Sequence, residues 1–121
     1  MATVDATQEN IEALVKDNDI VIIDFWAPWC GPCKQFGPIF DEVSEKYPDI
    51  VFAKLNTEAE QELASHFNIR SIPTLMVYRE QMQVYSQPGS LSVSAMDDLL
   101  GMAISLDMDE VRKNAAEQAQ A

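Results

Sequence analysis

The spacing of apolar positions changes period several times along this chain, and each change marks an element. Residues 20–26 (Ile-Val-Ile-Ile-Asp-Phe-Trp) are an apolar run without alternation, which predicts a strand covered on both faces. Residues 50–56 and 74–79 predict two more strands, and 83–87 a partner for 74–79 in a hairpin across Glu80, Gln81 and Met82. Ile11, Leu14 and Val15 have helical spacing and follow Thr7, a residue suited to cap that helix. Phe36, Ile39, Phe40, Val43 and Tyr47 form one stripe at i, i+3, i+4, i+7 and i+11, ended by Pro48 and Asp49. Pro38 lies inside the stripe, where its missing N–H predicts a kink. Ala59, Leu63 and Phe67 mark a third helix, and Met96, Leu99, Leu100, Ala103 and Ile104 a fourth. Residues 2–6 offer at most a marginal edge strand.

Two strands joined through a helix imply a parallel pair with a right-handed crossover, and the later hairpin adds antiparallel strands to the same sheet. The expected class is α/β, a mixed central sheet of four to five strands with helices on both faces. Asp107 and Glu110 are spaced as a capping box for one more helix, from Met108 to about residue 118. Its apolar face (Met108, Val111, Ala115) is thin, so residues 1–106 are expected to form the domain. Residues 107–121 then make an acidic, loosely docked helical extension.

At 121 residues the chain suits a single domain. Its 47% hydrophobic and 23% charged residues argue against disorder. The net charge of −12 repels phosphate backbones and counts against nucleic-acid binding. No stretch approaches the roughly 20 apolar residues of a membrane span. Asp5 and Glu9 stand where a secretory signal would be basic and then apolar, so the expected location is the cytoplasm.

Cys30 and Cys33 are the only cysteines. Too few for a disulfide framework, they would also need more than the single histidine, His66, to complete a structural zinc site. A purely structural bridge over so short a loop would contribute only about 2 kcal/mol. Redox chemistry is the leading reading. The pair follows a strand and opens a helix, at the carboxyl end of the sheet, where helix N–H groups and the positive dipole end favour thiolate. Cys30, at the exposed helix start, is the expected attacker. Cys33, one turn on and shielded, is the expected resolving thiol. Gly31 and Pro32 suit the tight turn and the helix start.

Asp24 closes an apolar strand, so partial desolvation would raise its pKa and let it take and return a proton. The competing reading is an Asp at a solvated strand end. Lys54 shares the Phe52 parity and would approach Asp24, the alternative being an ordinary edge-strand lysine. His66, among polar neighbours, reads as a solvated surface residue. Met76, Met96 and Met102 fit core or helix-face positions rather than a metal cluster.

Trp29-Cys30-Gly31-Pro32-Cys33-Lys34, preceded by Asp24-Phe25-Trp26-Ala27, resembles the active-site segment of the thioredoxin family. Further family features follow in order: Pro38, Lys54-Leu55-Asn56, Ile69-Arg70-Ser71-Ile72-Pro73-Thr74, and Gly89 after the hairpin. The resemblance covers about residues 7–106 and implies the thioredoxin fold and a general protein-disulfide reductase. It implies Cys30 as nucleophile, Cys33 as resolving thiol, and Asp24 as buried proton acceptor through water, with Lys54 nearby. Pro73 would be cis beside the cysteines, leaving the Ile72 backbone to pair with an extended substrate. Trp29, Gly31, Pro32 and Gly89 would complete the docking surface, with Trp26 packed beneath. Electrons would come from an NADPH-dependent thioredoxin reductase, with no bound cofactor and a monomeric state. At the pKa of about 7 known for thioredoxins, the thiolate fraction at pH 7 rises about sixteenfold, and lower nucleophilicity returns about fivefold of that. The remaining gain is about threefold, so proximity of the second thiol is the larger advantage.

The hairpin turn lacks the family's usual glycine, Pro88 precedes Gly89, the first strand is poorly written, and the extension has no counterpart in the minimal domain. Two other functions compete: an oxidase or isomerase running the same chemistry in reverse, and a binding module of the same fold working through its groove and tail.

Overall fold

The computed structural model describes residues 2–120. In chain order they form β1 (Thr3–Asp5), α1 (Ile11–Lys16), β2 (Ile20–Trp26), α2 (Gly31–Ser44), β3 (Val51–Asn56), α3 (Gln61–His66), β4 (Thr74–Arg79), β5 (Met82–Pro88), α4 (Val93–Ser105) and α5 (Met108–Gln120). The five strands make one sheet in the order β1-β3-β2-β4-β5. β1 and β2 run parallel to β3, whereas β4 is antiparallel to β2 and β5 to β4.

β2 is interior because both of its sides are paired and both of its faces covered, which is what its unbroken apolar run demands. Strand alternation then divides the core. Ile20, Ile22, Phe52, Leu75 and Val77 pack against Phe36, Phe40 and Val43 of α2 and Met96, Leu99, Leu100 and Ala103 of α4. Val21, Ile23, Phe25, Ala53, Leu55 and Met76 pack on the other face against Ile11, Leu63 and Ala64. Asp24 continues the Ile20–Ile22 column and so points to the α2 side, opposite Lys54 on β3 and Leu75 on β4.

Several boundaries differ from the sequence expectation. The marginal segment 2–6 does supply an edge strand, β1. Thr7 caps a turn rather than α1 itself: its N–H donates to Asn10 Oδ1 (2.7 Å), and its carbonyl accepts from Ile11 N–H (3.0 Å). α2 continues through Pro38 and stops at Ser44, whose hydroxyl donates to the Asp41 carbonyl (2.6 Å). Tyr47 therefore lies beyond the helix, donating its hydroxyl to Asp97 Oδ1 (2.9 Å) on α4. Ala59 falls in an exposed turn whose N–H donates to Asn56 Oδ1 (3.2 Å). Ile104 is 48% exposed, because eight residues after Met96 the helical stripe has rotated by about 80°.

The hairpin loop is two residues long, with Arg79 paired to Met82. Glu80 (φ 49°) and Gln81 (φ 70°) both occupy left-handed conformations, the geometry whose twist matches flanking strands. Without glycine this costs roughly 1–2 kcal/mol per residue, so neighbours must hold it. Glu80 N–H donates to the Asp19 carbonyl (2.8 Å), and the Glu80 carboxylate accepts from Arg112 of α5 (2.6 Å). Arg79 Nη1 donates to the carbonyls of Ala103, Ile104 and Leu106 (2.8–2.9 Å), closing the end of α4. Asp107 Oδ1 accepts from the Asp109 and Glu110 N–H groups (3.1 and 3.2 Å), so it caps α5, but among the described residues Glu110 does not return the bond to Asp107 N–H that a full capping box has. Met108 is buried and Arg112 is clasped by Glu80, so the first part of the extension is fastened, and residues 112–119 are exposed.

Candidate active site

The site forms where β2 stops. Thr57 closes the strand end, donating both its N–H (2.8 Å) and its hydroxyl (3.0 Å) to the Trp26 carbonyl. The chain turns through Ala27, whose carbonyl accepts from Cys30 N–H (3.2 Å). Cys30 is the N-cap of α2 in an extended conformation, and its Sγ accepts from Cys33 N–H (3.3 Å), so the sulfur takes a place usually held by a Ser or Asp oxygen. Gly31 and Pro32 fill the first helical turn and are exposed. Cys30 and Cys33 are joined as a disulfide, with Cα atoms 5.3 Å apart.

Exposure does not separate the two cysteines as the sequence suggested: Cys30 is 5% and Cys33 3% accessible. Cys30 is covered because Ile72 packs on it, with the Ile72 carbonyl oxygen 3.9 Å from Cys30 Sγ. The Ile72–Pro73 peptide is cis. Among the described residues neither the amide nor the carbonyl of Ile72 pairs with another backbone group. Gly89 donates its N–H to the Pro73 carbonyl (2.8 Å) at φ 103°, a conformation that favours glycine, which brings the loop after β5 beside the cis proline. Trp29 is 68% exposed. It shares with Ile72 an open groove of about 380 Å³, whose other wall carries Ser65, Ile69 and Arg70.

Asp24 is 1% accessible, which excludes the solvated strand end. Its Oδ1 has no hydrogen-bond partner among the described residues. Burial pushes its carboxyl up from 3.8 to about 7; the Lys54 charge draws it back and the Asp41 charge pushes it further up. Asp24, Trp26, Cys33, Lys34, Gly37 and Lys54 line a cavity of about 170 Å³, room for a few waters at ~30 Å³ each. Trp26 is half-buried against the cysteines, its Nε1 unpaired among the described residues.

Lys54 lies on an interior strand, not an edge, and directly beside Asp24 in register. Its close ion contact is Asp41 (3.1 Å). Asp41 was not among the sequence candidates; the available signal is its spacing, since Cys33, Gly37 and Asp41 follow one another at i, i+4 and i+8 along one face of α2. His66 is exposed and edge-on to Phe67 (5.5 Å), as expected of a surface residue. A larger hollow of about 680 Å³ between α1, α3 and the hairpin is lined by His66 but by none of Asp24, Cys30, Cys33, Asp41 or Lys54, so size does not locate the chemistry.

Residues 2–101 match the family model described as thioredoxin. The chain is 58% identical over 117 residues to putative thioredoxin 2 of Streptomyces coelicolor, covering 97% of this chain and 87% of that one. It is 39% identical over 102 residues to thioredoxin 1 of Synechococcus elongatus, covering 82% and 92%. A mutant thioredoxin from Halobacterium salinarum superposes with a TM-score of 0.78 at 32% identity, covering 86% of this chain and 91% of that one. Plasmodium falciparum thioredoxin gives 0.75 at 33% identity, covering 82% and 96%.

Proposed function

This chain belongs to the thioredoxin family, and we propose that Cys30 is its attacking thiol, Cys33 its resolving thiol and Asp24 the group that takes the Cys33 proton. Thiol–disulfide exchange is the family's chemistry, and the redox-active pair is present. In the reducing direction the Cys30 thiolate attacks one sulfur of a target disulfide. The target S–S bond breaks, a mixed disulfide forms, and the second target sulfur leaves as a thiolate that takes a proton from solvent. Cys33 then gives its proton to the Asp24 carboxylate and attacks Cys30 Sγ. The Cys30–Cys33 bond forms, and the first target sulfur departs and takes up the proton held by Asp24. Two electrons pass to the target, which becomes two thiols as the pair is oxidised.

The observation that carries this reading is the cavity shared by Cys33 and Asp24. With its pKa raised to about 7, Asp24 is near half-ionised at neutral pH, able both to accept and to return a proton. Lys54 tunes it from the neighbouring strand. Trp29, Gly31, Pro32, Ile72, Pro73 and Gly89 receive an extended segment of the target, a role supported by exposed Trp29, the Trp29–Ile72 groove and an Ile72 amide and carbonyl without backbone partners among the described residues. Trp26 supports the pair from beneath.

Members of this family act on disulfide-containing substrates and are reduced by thioredoxin reductase. The reductase here is NADPH-dependent, the protein works as a monomer, and its compartment is the cytoplasm, where thiols are kept reduced. Residues 1–106 carry the exchange chemistry and the segment after them is an appendage, as the family match over 2–101 supports; its last residue, 121, lies outside the described residues. No helix among the described residues is long and apolar enough to cross a membrane.

The test is a coupled assay with NADPH, thioredoxin reductase and a disulfide-bonded protein. The wild-type chain should sustain NADPH oxidation catalytically, and Cys30→Ser should reduce it to the background rate. Absence of wild-type turnover, with the groove still binding proteins, would favour the binding-module reading instead.

A further inference from the structure

We propose that Asp41 is a positioning residue of the exchange reaction: it holds the Lys54 ammonium over Gly37, at the wall of the cavity shared by Asp24 and Cys33, and thereby sets how much positive charge the buried carboxyl meets. This rests on the reading of Asp24 as the proton acceptor for Cys33.

The geometry comes from three elements. Strand register places Lys54 beside Asp24 on the face covered by α2. On α2, Asp41 stands two turns beyond Cys33, and its carboxylate lies 3.1 Å from Lys54 Nζ. Gly37, between Cys33 and Asp41 on the same face of α2, marks where the ammonium lies: a Cβ there would sit 3.9 Å from Nζ, an ordinary contact that would displace nothing. The two side chains are only 20% and 25% exposed, so solvent screens the pair weakly. Asp41 Oδ1 makes no aligned hydrogen bond among the described residues, so the contact is one of charge.

Lys54 thus has two anionic neighbours to choose between. Drawn fully to Asp24 it would hold that carboxyl ionised, and an ionised Asp24 paired with an ammonium is a poor base for the Cys33 proton. Drawn to Asp41 it leaves Asp24 close to neutrality in its proton affinity. The other groups facing Asp24 are few: Cys33 and Lys34 from α2, and the apolar Leu75 from β4. Lys54 acts on Asp24 more strongly than Asp41 does. Asp41 therefore works chiefly through the lysine.

The experiment follows the Asp24 carboxyl ¹³C resonance against pH in the disulfide form of the full chain, together with the pH profile of mixed-disulfide resolution. Asp41→Asn should move the Asp24 midpoint down by about one pH unit, and Asp41→Glu should stay near the parent. Lys54→Gln should move it up. Adding Asp41→Asn to Lys54→Gln should produce only a small further change. An unmoved midpoint in folded Asp41→Asn would overturn the proposal, as would an equal fall with Lys54→Gln already present, since Asp41 would then act without the lysine. Should Asp41→Asn fail to fold, an unmoved midpoint in Lys54→Gln would overturn it alone. If the midpoint falls as expected and the resolution profile does not follow, Asp41 positions Lys54 but Asp24 is not the acceptor.

Discussion

Cys33→Ser is expected to leave the first attack intact and to stop turnover. The variant keeps Cys30 at the N-terminus of α2, with the helix N–H groups still directed toward its sulfur. It loses the only thiol able to reach the mixed disulfide from within the chain. Well-oriented intramolecular groups act at effective molarities of about 10⁵ M and above, about 10⁸ times a millimolar external thiol, so resolution by such a thiol should be slower by many orders of magnitude. By contrast, the lowered thiol pKa is worth only about threefold. Mass spectrometry of the variant mixed with a disulfide-bonded protein should therefore show a stoichiometric covalent adduct that persists. Turnover near the wild-type rate would mean that Cys33 does not resolve the intermediate.

Asp24→Asn is expected to stabilise the fold by an amount that grows as pH rises from about 4 and levels off above 7. Asp24 has a folded pKa of about 7 against 3.8 for an ordinary carboxyl. Between those values the folded chain holds a proton that the unfolded chain has released, so the wild type loses stability as pH rises from about 4 through 7. Three pKa units correspond to about 4 kcal/mol at the upper end of that window. A neutral asparagine removes this loss. Denaturant unfolding at pH 8 should show the variant more stable by up to about 4 kcal/mol, with little difference at pH 4. Equal pH dependence in the two proteins would contradict a desolvated Asp24. The same variant should slow resolution of the mixed disulfide, a loss of function paired with a gain of stability.

The central features were legible in the sequence because local pattern determines them. β2 is an interior strand, and its lack of alternation says so. Asp24 sits in a column with Ile20 and Ile22, so its burial follows from strand parity. The cysteine pair, its helix and Lys54 on the Phe52 face were legible for the same reason. What escaped depends on distant segments. Cys30 is covered by Ile72, 42 residues away, so no local pattern could show its burial. β1 is a three-residue edge strand with little buried surface, too short to leave a periodic signal. The Glu80-Gln81 turn has no glycine because Asp19 and Arg112 hold it from outside the hairpin. Asp41 lies outside the apolar stripe of α2, and its contact with Lys54 exists only once β3 is docked beneath that helix.

The most direct test is the reduction potential of the Cys30–Cys33 couple, obtained by equilibration with a dithiol buffer and trapping of free thiols. A reducing dithiol should give a value near −270 mV, the potential thioredoxins are known for, low enough to open disulfides in a reducing compartment. A value above about −180 mV would contradict it, making the protein an oxidant or isomerase and overturning both the direction of electron flow and the cytoplasmic assignment.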